Sequence, residues 1–191
     1  MKRFILLIAV IGILGVPPRL GGEMPAGEFE GYFRLYGQRF FGVQFDWRYF
    51  KAQAIAESGL RPNVRSPEGA VGVMQLLPCT FQEIAEEVEH IQPDIQDPQW
   101  NIAAGICYDR KLWETWKAKR CFRERLNFTF GSYNAGKGTI LRAQEIALVQ
   151  GWDALSWEVI EKALPRVIGE GSRETIGYVR RIHRIRQDLG S

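Results

Sequence analysis

The chain has 191 residues, a length that suits one domain, or one domain preceded by a targeting segment. Its composition is 46% hydrophobic, 12% aromatic and 25% charged, which excludes a disordered protein. The net charge of +3 comes from Lys2, Arg3 and Arg19, and the remaining charges balance, so the charge pattern excludes a nucleic-acid-binding protein.

The first 22 residues are typical of a signal peptide or an N-terminal membrane anchor. Lys2 and Arg3 precede an apolar run from Phe4 to Val16, which Pro17 ends. This run of 13 residues suits the hydrophobic region of a signal peptide and is shorter than the ~20 residues that span a bilayer. We therefore expect an exported protein of the periplasm or cell envelope. Cleavage of the segment and its retention as a membrane anchor both remain open.

The remaining sequence predicts a mainly α fold, of about seven to eight helices and one small β-hairpin or irregular loop. Residues 23–45 are interpreted as a linker and an N-terminal helix, and residues 46–191 as the main domain. Hydrophobic spacing and helix-end signals predict helices over 28–41, 46–58, 78–90, 98–118, 122–134, 138–149, 154–163 and 173–188. Residues 60–77 hold prolines and glycines around short apolar pieces, and the β or irregular element is predicted there.

Metal and nucleotide cofactors are not predicted. The chain has three cysteines, Cys79, Cys107 and Cys121, and two histidines, with no C-x-x-C pair. A near match to the phosphate-binding loop at residues 131–138 lacks the final hydroxyl and a preceding strand. Cys107 has apolar helix neighbours and is predicted to be a buried free thiol, so any disulfide should join Cys79 to Cys121.

The helix that begins near Asp46 carries a candidate general acid. Trp47, Phe50, Ala54 and Glu57 are spaced three, four and three residues apart, which puts them on one face of the helix. Glu57 thus continues an apolar stripe and lies in the last turn, where the helix dipole is negative. Both effects disfavour a charged carboxylate, so we expect Glu57 to have a raised pKa. The alternative is an ordinary glutamate that turns out to solvent.

Six segments in chain order resemble the motifs of the soluble lytic transglycosylase family, which belongs to the lysozyme-like superfamily. They are Glu57-Ser58-Gly59, Ser66-Pro67-Glu68-Gly69-Ala70, Gly72-Val73-Met74-Gln75-Leu76, Asn101-Ile102 with Gly105 and Tyr108, Ser132-Tyr133-Asn134-Ala135-Gly136, and Glu174-Thr175 with Tyr178-Val179. The resemblance covers residues 46–185. Val73 replaces the usual leucine and Ser132 the usual alanine, and neither change removes a polar group from the implied site.

The resemblance implies an enzyme that cleaves the bond between N-acetylmuramic acid and N-acetylglucosamine in peptidoglycan. Glu57 would act first as general acid and then as base, and the product would be a 1,6-anhydro ring formed without water. The implied substrate-binding residues are Ser58, Gln75, Tyr133, Asn134 and Tyr178. Asn101 and Tyr108 are interpreted as structural support, and Met74 as core.

Three alternatives remain open on the sequence alone. Tyr178 shares a helix stripe with Ile182 and Ile185, so core packing also explains it. A hydrolase on the same fold would need a second carboxylate opposite Glu57, and the 60–77 loop offers only Glu68. A wall-binding protein without turnover is the third alternative, and the intact set of motif residues argues against it.

Overall fold

The computed structural model describes Gly27 and residues 29–117 and 119–190, and the segment predicted as a signal or anchor (1–22) lies outside them. The described residues form nine helical segments. These are α1 (Glu30–Phe41), α2 (Arg48–Ser58), α3 (Pro78–Glu87), α4 (Pro98–Thr115), α5 (Phe122–Ala135), α6 (Lys137–Val149), α7 (Trp157–Ala163), α8 (Pro165–Ile168) and α9 (Gly171–Asp188). In this part of the chain, no helix is both long and apolar enough to cross a membrane.

The predicted fold class is confirmed. Between α2 and α3 the backbone forms two isolated antiparallel bridges, Arg65 with Val71 and Val71 with Leu76, in place of a regular hairpin. This is the small irregular β element that the sequence predicts after the Glu57 helix.

Several helix ends differ from the predicted ones, and the fourth helix ends at Thr115 and not at residue 118. The third helix ends at Glu87 and not at His90, because Val88 leaves helical geometry with a φ of −118° and a ψ of 88°. The seventh begins at Trp157 and not at residue 154. Asp153 Oδ1 accepts a hydrogen bond from the backbone N–H of Leu155 at 3.0 Å, which favours a turn at this point.

Glu124 supplies the missing cap of α7 from a neighbouring helix. One of its carboxylate oxygens, Oε2, accepts a hydrogen bond of 2.5 Å from the backbone N–H of Trp157. A carboxylate at this position satisfies an unpaired helix N–H and complements the positive end of the helix dipole. Helix α7 is therefore anchored to α5 at its first residue.

The contacts divide the described chain into two compact units. The first unit consists of the residues up to Tyr108 together with those from Ile182 onward, and the second is Asp109–Arg181. In the first unit, α1 packs on α2, and Gly37 allows this approach because a Cβ there would lie 3.1 Å from Trp47 Cβ. The buried side chains of this unit include Phe33, Phe50, Met74, Ile84 and Ile102.

The second unit has its core between α5, α6 and α7. Phe128 and Phe130 of α5, Ile140 of α6 and Ile160 of α7 are fully buried in it. Gly131 allows α5 to lie close to the ring of Trp157, because a Cβ at this position would lie 2.2 Å from that ring. The second unit therefore has an apolar core of its own, and it holds the motif residues from Ser132 to Tyr178.

Candidate active site

Glu57 lies in the last turn of α2, at the end of the stripe that the sequence predicts. Phe50 and Ala54 are buried, whereas Trp47 and Glu57 at the two ends of the stripe are partly exposed. Gly59 ends the helix in left-handed geometry with a φ of 64°, and its N–H is bonded to Ile55 O. Glu57 therefore lies at the end of the helix, next to buried residues of the stripe, and is itself partly exposed.

Ser58 joins the end of α2 to the following loop. The residue is 2% exposed, and its hydroxyl donates a hydrogen bond to Val73 O at 2.8 Å and accepts one from the N–H of Arg61 at 3.2 Å. Both contacts are with backbone, so Ser58 fixes the path of the chain directly after Glu57. The contact between Ser58 and substrate that the resemblance implies stays a prediction.

Asn101 holds the loop that carries Met74 and Gln75. Its Oδ1 accepts a hydrogen bond from the N–H of Met74 at 2.8 Å, and its Nδ2 donates to Val71 O at 3.0 Å and to Ile95 O at 2.9 Å. Asn101 and Met74 are fully buried. This geometry agrees with the interpretation of both residues as structural.

Glycines allow the close approach of this loop to α4. A Cβ on Gly72 would lie 2.5 Å from Asn101 Nδ2, and the φ of +84° at Gly72 favours glycine as well. A Cβ on Gly105 would lie 2.7 Å from Met74 Cβ. Gly72 therefore packs against Asn101, and Gly105 packs against Met74, so the two motifs that contain these residues are in direct contact. Tyr108, the last motif residue of α4, is partly exposed.

Gln75 is one of three non-glycine residues with positive φ in the described chain, with a value of 48°. Its side chain supports that conformation, because Nε2 donates to Gly72 O at 2.8 Å and to Val64 O at 3.1 Å. These bonds use both amide hydrogens, so the only group of this side chain that remains for a hydrogen bond to a sugar is Oε1, which is an acceptor. The structure thus narrows the predicted role of Gln75 to accepting a hydrogen bond.

The second unit positions Tyr133 and Asn134 in the last turn of α5. Tyr133 is partly exposed, whereas Asn134 is 9% exposed. Asn134 Oδ1 accepts a hydrogen bond of 2.8 Å from the hydroxyl of Thr175 on α9. In the sequence, Thr175 is only one residue of a motif. The structure shows that it forms a hydrogen bond with Asn134, 41 residues away.

Tyr178 is buried in the second unit, with 2% of its surface exposed. The guanidinium of Arg181 lies 5.9 Å from the centre of its ring. Burial agrees with the core interpretation of Tyr178 and leaves its predicted substrate contact untested.

The loop carboxylate Glu68 is partly buried, and its Oε2 is a buried atom with no hydrogen-bond partner in the described chain.

Among the residues that the structure describes, no three His, Cys, Asp or Glu side chains form a group that could hold a metal ion. All three cysteines have free thiols, with Cys107 buried and Cys79 and Cys121 exposed. The predicted buried free thiol at Cys107 is confirmed.

Comparison with known proteins gives a consistent family match. A family model described as the transglycosylase SLT domain matches residues 42–150, more than half of the chain. The membrane-bound lytic murein transglycosylase F of Desulfosudis oleivorans is 33% identical over 138 residues, which are 71% of this chain and 29% of that protein. The protein of the same name in Vibrio cholerae is 31% identical over 127 residues, 66% of this chain and 23% of that protein.

A similar fold is found in a solved structure. It is an inactive glutamate-to-glutamine mutant of the lytic transglycosylase Slt from Pseudomonas aeruginosa, with a TM-score of 0.68 and 20% sequence identity. The similarity covers 86% of this chain and 24% of that one. The chain therefore spans about a quarter of the length of the relatives it matches.

Proposed function

Because the chain belongs to the family of transglycosylase SLT domains, we propose that it is a peptidoglycan lytic transglycosylase. It would cleave the β-1,4 bond between N-acetylmuramic acid and N-acetylglucosamine and leave 1,6-anhydro ends. The observation that carries this proposal is the position of Glu57, a partly exposed carboxylate at the end of a buried helix stripe and inside the matched range. The names of the relatives, which are lytic murein transglycosylases, support the same substrate.

Glu57 performs both proton transfers in the proposed mechanism. Its carboxylic acid protonates the glycosidic oxygen, the bond to C1 of the muramic acid breaks, and the substrate's own acetamido oxygen stabilises the positive charge at C1. Glu57, now a carboxylate, takes the proton from the C6 hydroxyl of the same sugar. That oxygen bonds to C1 and closes the anhydro ring. Glu57 is again protonated, so no water is consumed.

Other motif residues bind the glycan in this proposal. Ser58 and Gln75 follow Glu57 in the first unit, and Gln75 would accept a hydrogen bond from a sugar hydroxyl or amide N–H. In the second unit, Tyr133 offers a ring face and Asn134 an amide, and Tyr178 offers its hydroxyl.

Product analysis tests the function directly. The chain is incubated with purified peptidoglycan sacculi, and the released muropeptides are identified by mass. We expect anhydro products, each lighter by one water than its hydrolytic counterpart. Products that carry the added water would indicate a lysozyme-type hydrolase instead, and the absence of any release beside retained binding would indicate a wall-binding protein.

The proposed location is the cell envelope. The N-terminal basic and apolar segment predicts export, and the named relatives are membrane-bound. Fractionation of cells that express the chain tests this: we expect it outside the cytoplasm, either in the periplasmic or in the membrane fraction. Recovery in the cytoplasmic fraction alone would contradict the proposed location.

A further inference from the structure

A groove lies along one face of α3, between this helix and the chain segment that follows it. Its volume is about 580 Å³. Among the residues that line it, Phe81 and Ile91 are buried, and Ala85 and Ile95 are partly exposed, so its inner surface is mainly apolar. None of the residues that the proposed function assigns to catalysis or glycan binding lines this groove.

Hydrogen bonds hold the segment that forms the second wall of the groove. The chain leaves helical geometry at Val88, and the backbone N–H of Ile91 donates to Val88 O at 2.8 Å, which forms a turn. Further along this wall, Nδ2 of the buried Asn101 donates to Ile95 O at 2.9 Å. The groove is therefore formed before a ligand binds, and a ligand does not have to order this wall.

The rim of the groove is acidic. Residues 78–97 contain six acidic side chains and neither lysine nor arginine; the acids are Glu83, Glu86, Glu87, Glu89, Asp94 and Asp97. Glu86 and Glu89 line the groove and are exposed. In the described part of the chain, neither of these two carboxylates forms an ion pair, and Glu86 accepts a hydrogen bond only from Gln82, at 2.9 Å.

The apolar lining and the acidic rim together select the chemistry of a ligand. The lining favours apolar side chains, because their burial removes apolar surface from water. The exposed carboxylates attract cations and repel anionic polymers and anionic lipid surfaces. Helix α3 has ten residues, a length of about 15 Å, which suits a second helix of similar length lying beside it.

We propose that this groove binds an amphipathic helix of another protein, with apolar side chains facing the groove and lysine or arginine beside them. Such a helix inserts apolar residues spaced three and four apart, and its cations pair with Glu86 and Glu89. The proposal does not rest on the catalytic mechanism, because no groove residue takes part in it. Its consequence is recruitment of the chain to a partner protein through a surface that has no role in the chemistry.

The first test measures binding of fluorescently labelled synthetic peptides to the full chain by fluorescence anisotropy. The probe is a helical peptide of leucine and lysine in which the leucines are spaced three and four residues apart. One control peptide has the same composition in scrambled order, and the other has glutamate in place of every lysine. We expect the probe to bind about ten-fold more tightly than either control. Equal binding of the lysine and glutamate peptides would overturn the proposal.

Variants of the groove test where the probe binds. Glu86→Lys should weaken binding about five-fold, because it removes one ion pair and adds a like charge. Ala85→Tyr should weaken binding to a similar extent by filling the groove without a change of charge. The matched control is Glu145→Lys, which reverses an exposed acid on α6 and should leave binding unchanged. Unchanged binding in Glu86→Lys would overturn the proposal even if Ala85→Tyr fails to fold, since Glu86 is an exposed residue.

Two further measurements identify other occupants of the groove. Sedimentation of the full chain reports its oligomeric state, and a dimer that Glu86→Lys dissociates would assign the groove to a second copy and overturn the proposal. Release of muropeptides from sacculi should be the same in Glu86→Lys as in the unaltered chain. Its loss would assign the groove to the wall glycan and would also overturn the proposal. If the unaltered chain releases no anhydro products, the proposed function fails, whereas the peptide-binding result is unaffected.

Discussion

The indole Nε1 of Trp116 donates a hydrogen bond of 3.0 Å to the hydroxyl of Ser132, and both residues are buried in the second unit. Ser132 is the position where the family motif usually has alanine, which has no acceptor. In this chain the serine therefore has a defined structural partner, and it directly follows Gly131, where the absence of a side chain lets α5 lie close to the ring of Trp157.

Ser132→Ala should destabilise the fold, although it restores the usual residue of the family. The buried N–H of Trp116 would lose its acceptor, which costs about 1–3 kcal/mol of unfolding free energy. Urea unfolding followed by fluorescence measures the loss. The control is Trp116→Phe, which removes the donor: in that background, the serine-to-alanine change should cost much less. Equal costs in both backgrounds would show that this hydrogen bond does not stabilise the protein.

The helices and the position of Glu57 could be predicted from the sequence, because spacings of three and four residues report directly which face of a helix is buried. Bonds between distant elements could not be predicted in this way. The sequence shows Ser132 only as a small residue in a motif. Its hydrogen bond with Trp116, 16 residues away, is seen only in the structure. Thr175 likewise acquires a role only from its contact with Asn134, which joins α9 to α5. The sequence predicts a start for α7 that is three residues too early, because the turn formed by Asp153 competes locally with the helix.

The three cysteines should separate by reactivity. Cys79 and Cys121 are exposed and Cys107 is buried, and all three are free thiols. We expect a thiol reagent to label Cys79 and Cys121 rapidly in the native protein, and Cys107 only after unfolding. Mass spectrometry after labelling under native and denaturing non-reducing conditions counts the modified sites. Labelling of a single thiol after denaturation would reveal a disulfide between two of the three.

Asp46 should make stability depend on pH in the acid range. Burial raises its pKa, but hydrogen bonds from Arg48, at 2.8 Å, and from Arg186 lower it by more, so that the pKa lies below its ordinary value. The folded state therefore favours the charged form. The resulting stabilisation is fully present above about pH 4 and is lost as the pH falls through the lowered pKa.

Asp46→Asn removes this charge and tests the effect. Because Asp46 is partly exposed, we expect a loss of about 1 kcal/mol or less of unfolding free energy at neutral pH. The difference between the two proteins should shrink as the pH falls below about 4. Denaturant unfolding at a series of pH values measures it. A constant difference down to pH 2 would argue against a contribution from the charge.

Tyr178→Phe should reduce the turnover rate by more than any loss of folding stability explains. The change removes only the hydroxyl and leaves the ring buried on α9. In the proposed function this hydroxyl binds the substrate, and loss of one such hydrogen bond should reduce the rate by about three- to ten-fold. The matched control is Ile182→Val on the same helix, which should cost about 1 kcal/mol of stability and leave the rate unchanged. A Tyr178→Phe variant with an unaltered rate would return Tyr178 to a purely structural role.

Glu57→Gln should abolish release of muropeptides while folding and binding to sacculi persist. Glutamine keeps the size of the side chain but can neither donate the proton to the glycosidic oxygen nor take one from the C6 hydroxyl. General acid and base steps contribute about 10²–10⁴-fold each, and in the proposed mechanism Glu57 performs both. Release should therefore fall to background. Stability should be unchanged or higher, because a neutral amide replaces a partly buried carboxyl at the negative end of a helix.

The matched control for this prediction is Glu68→Gln, which removes a second partly buried carboxyl from the loop that follows α2. In the proposed mechanism the acetamido group of the substrate does the work of a second carboxylate, so this variant should keep most of its activity and still form anhydro ends. Loss of activity in Glu68→Gln would favour a two-carboxylate hydrolase. Near-normal release of anhydro products by Glu57→Gln would contradict the entire mechanism, since no other residue is assigned the proton that the leaving oxygen requires.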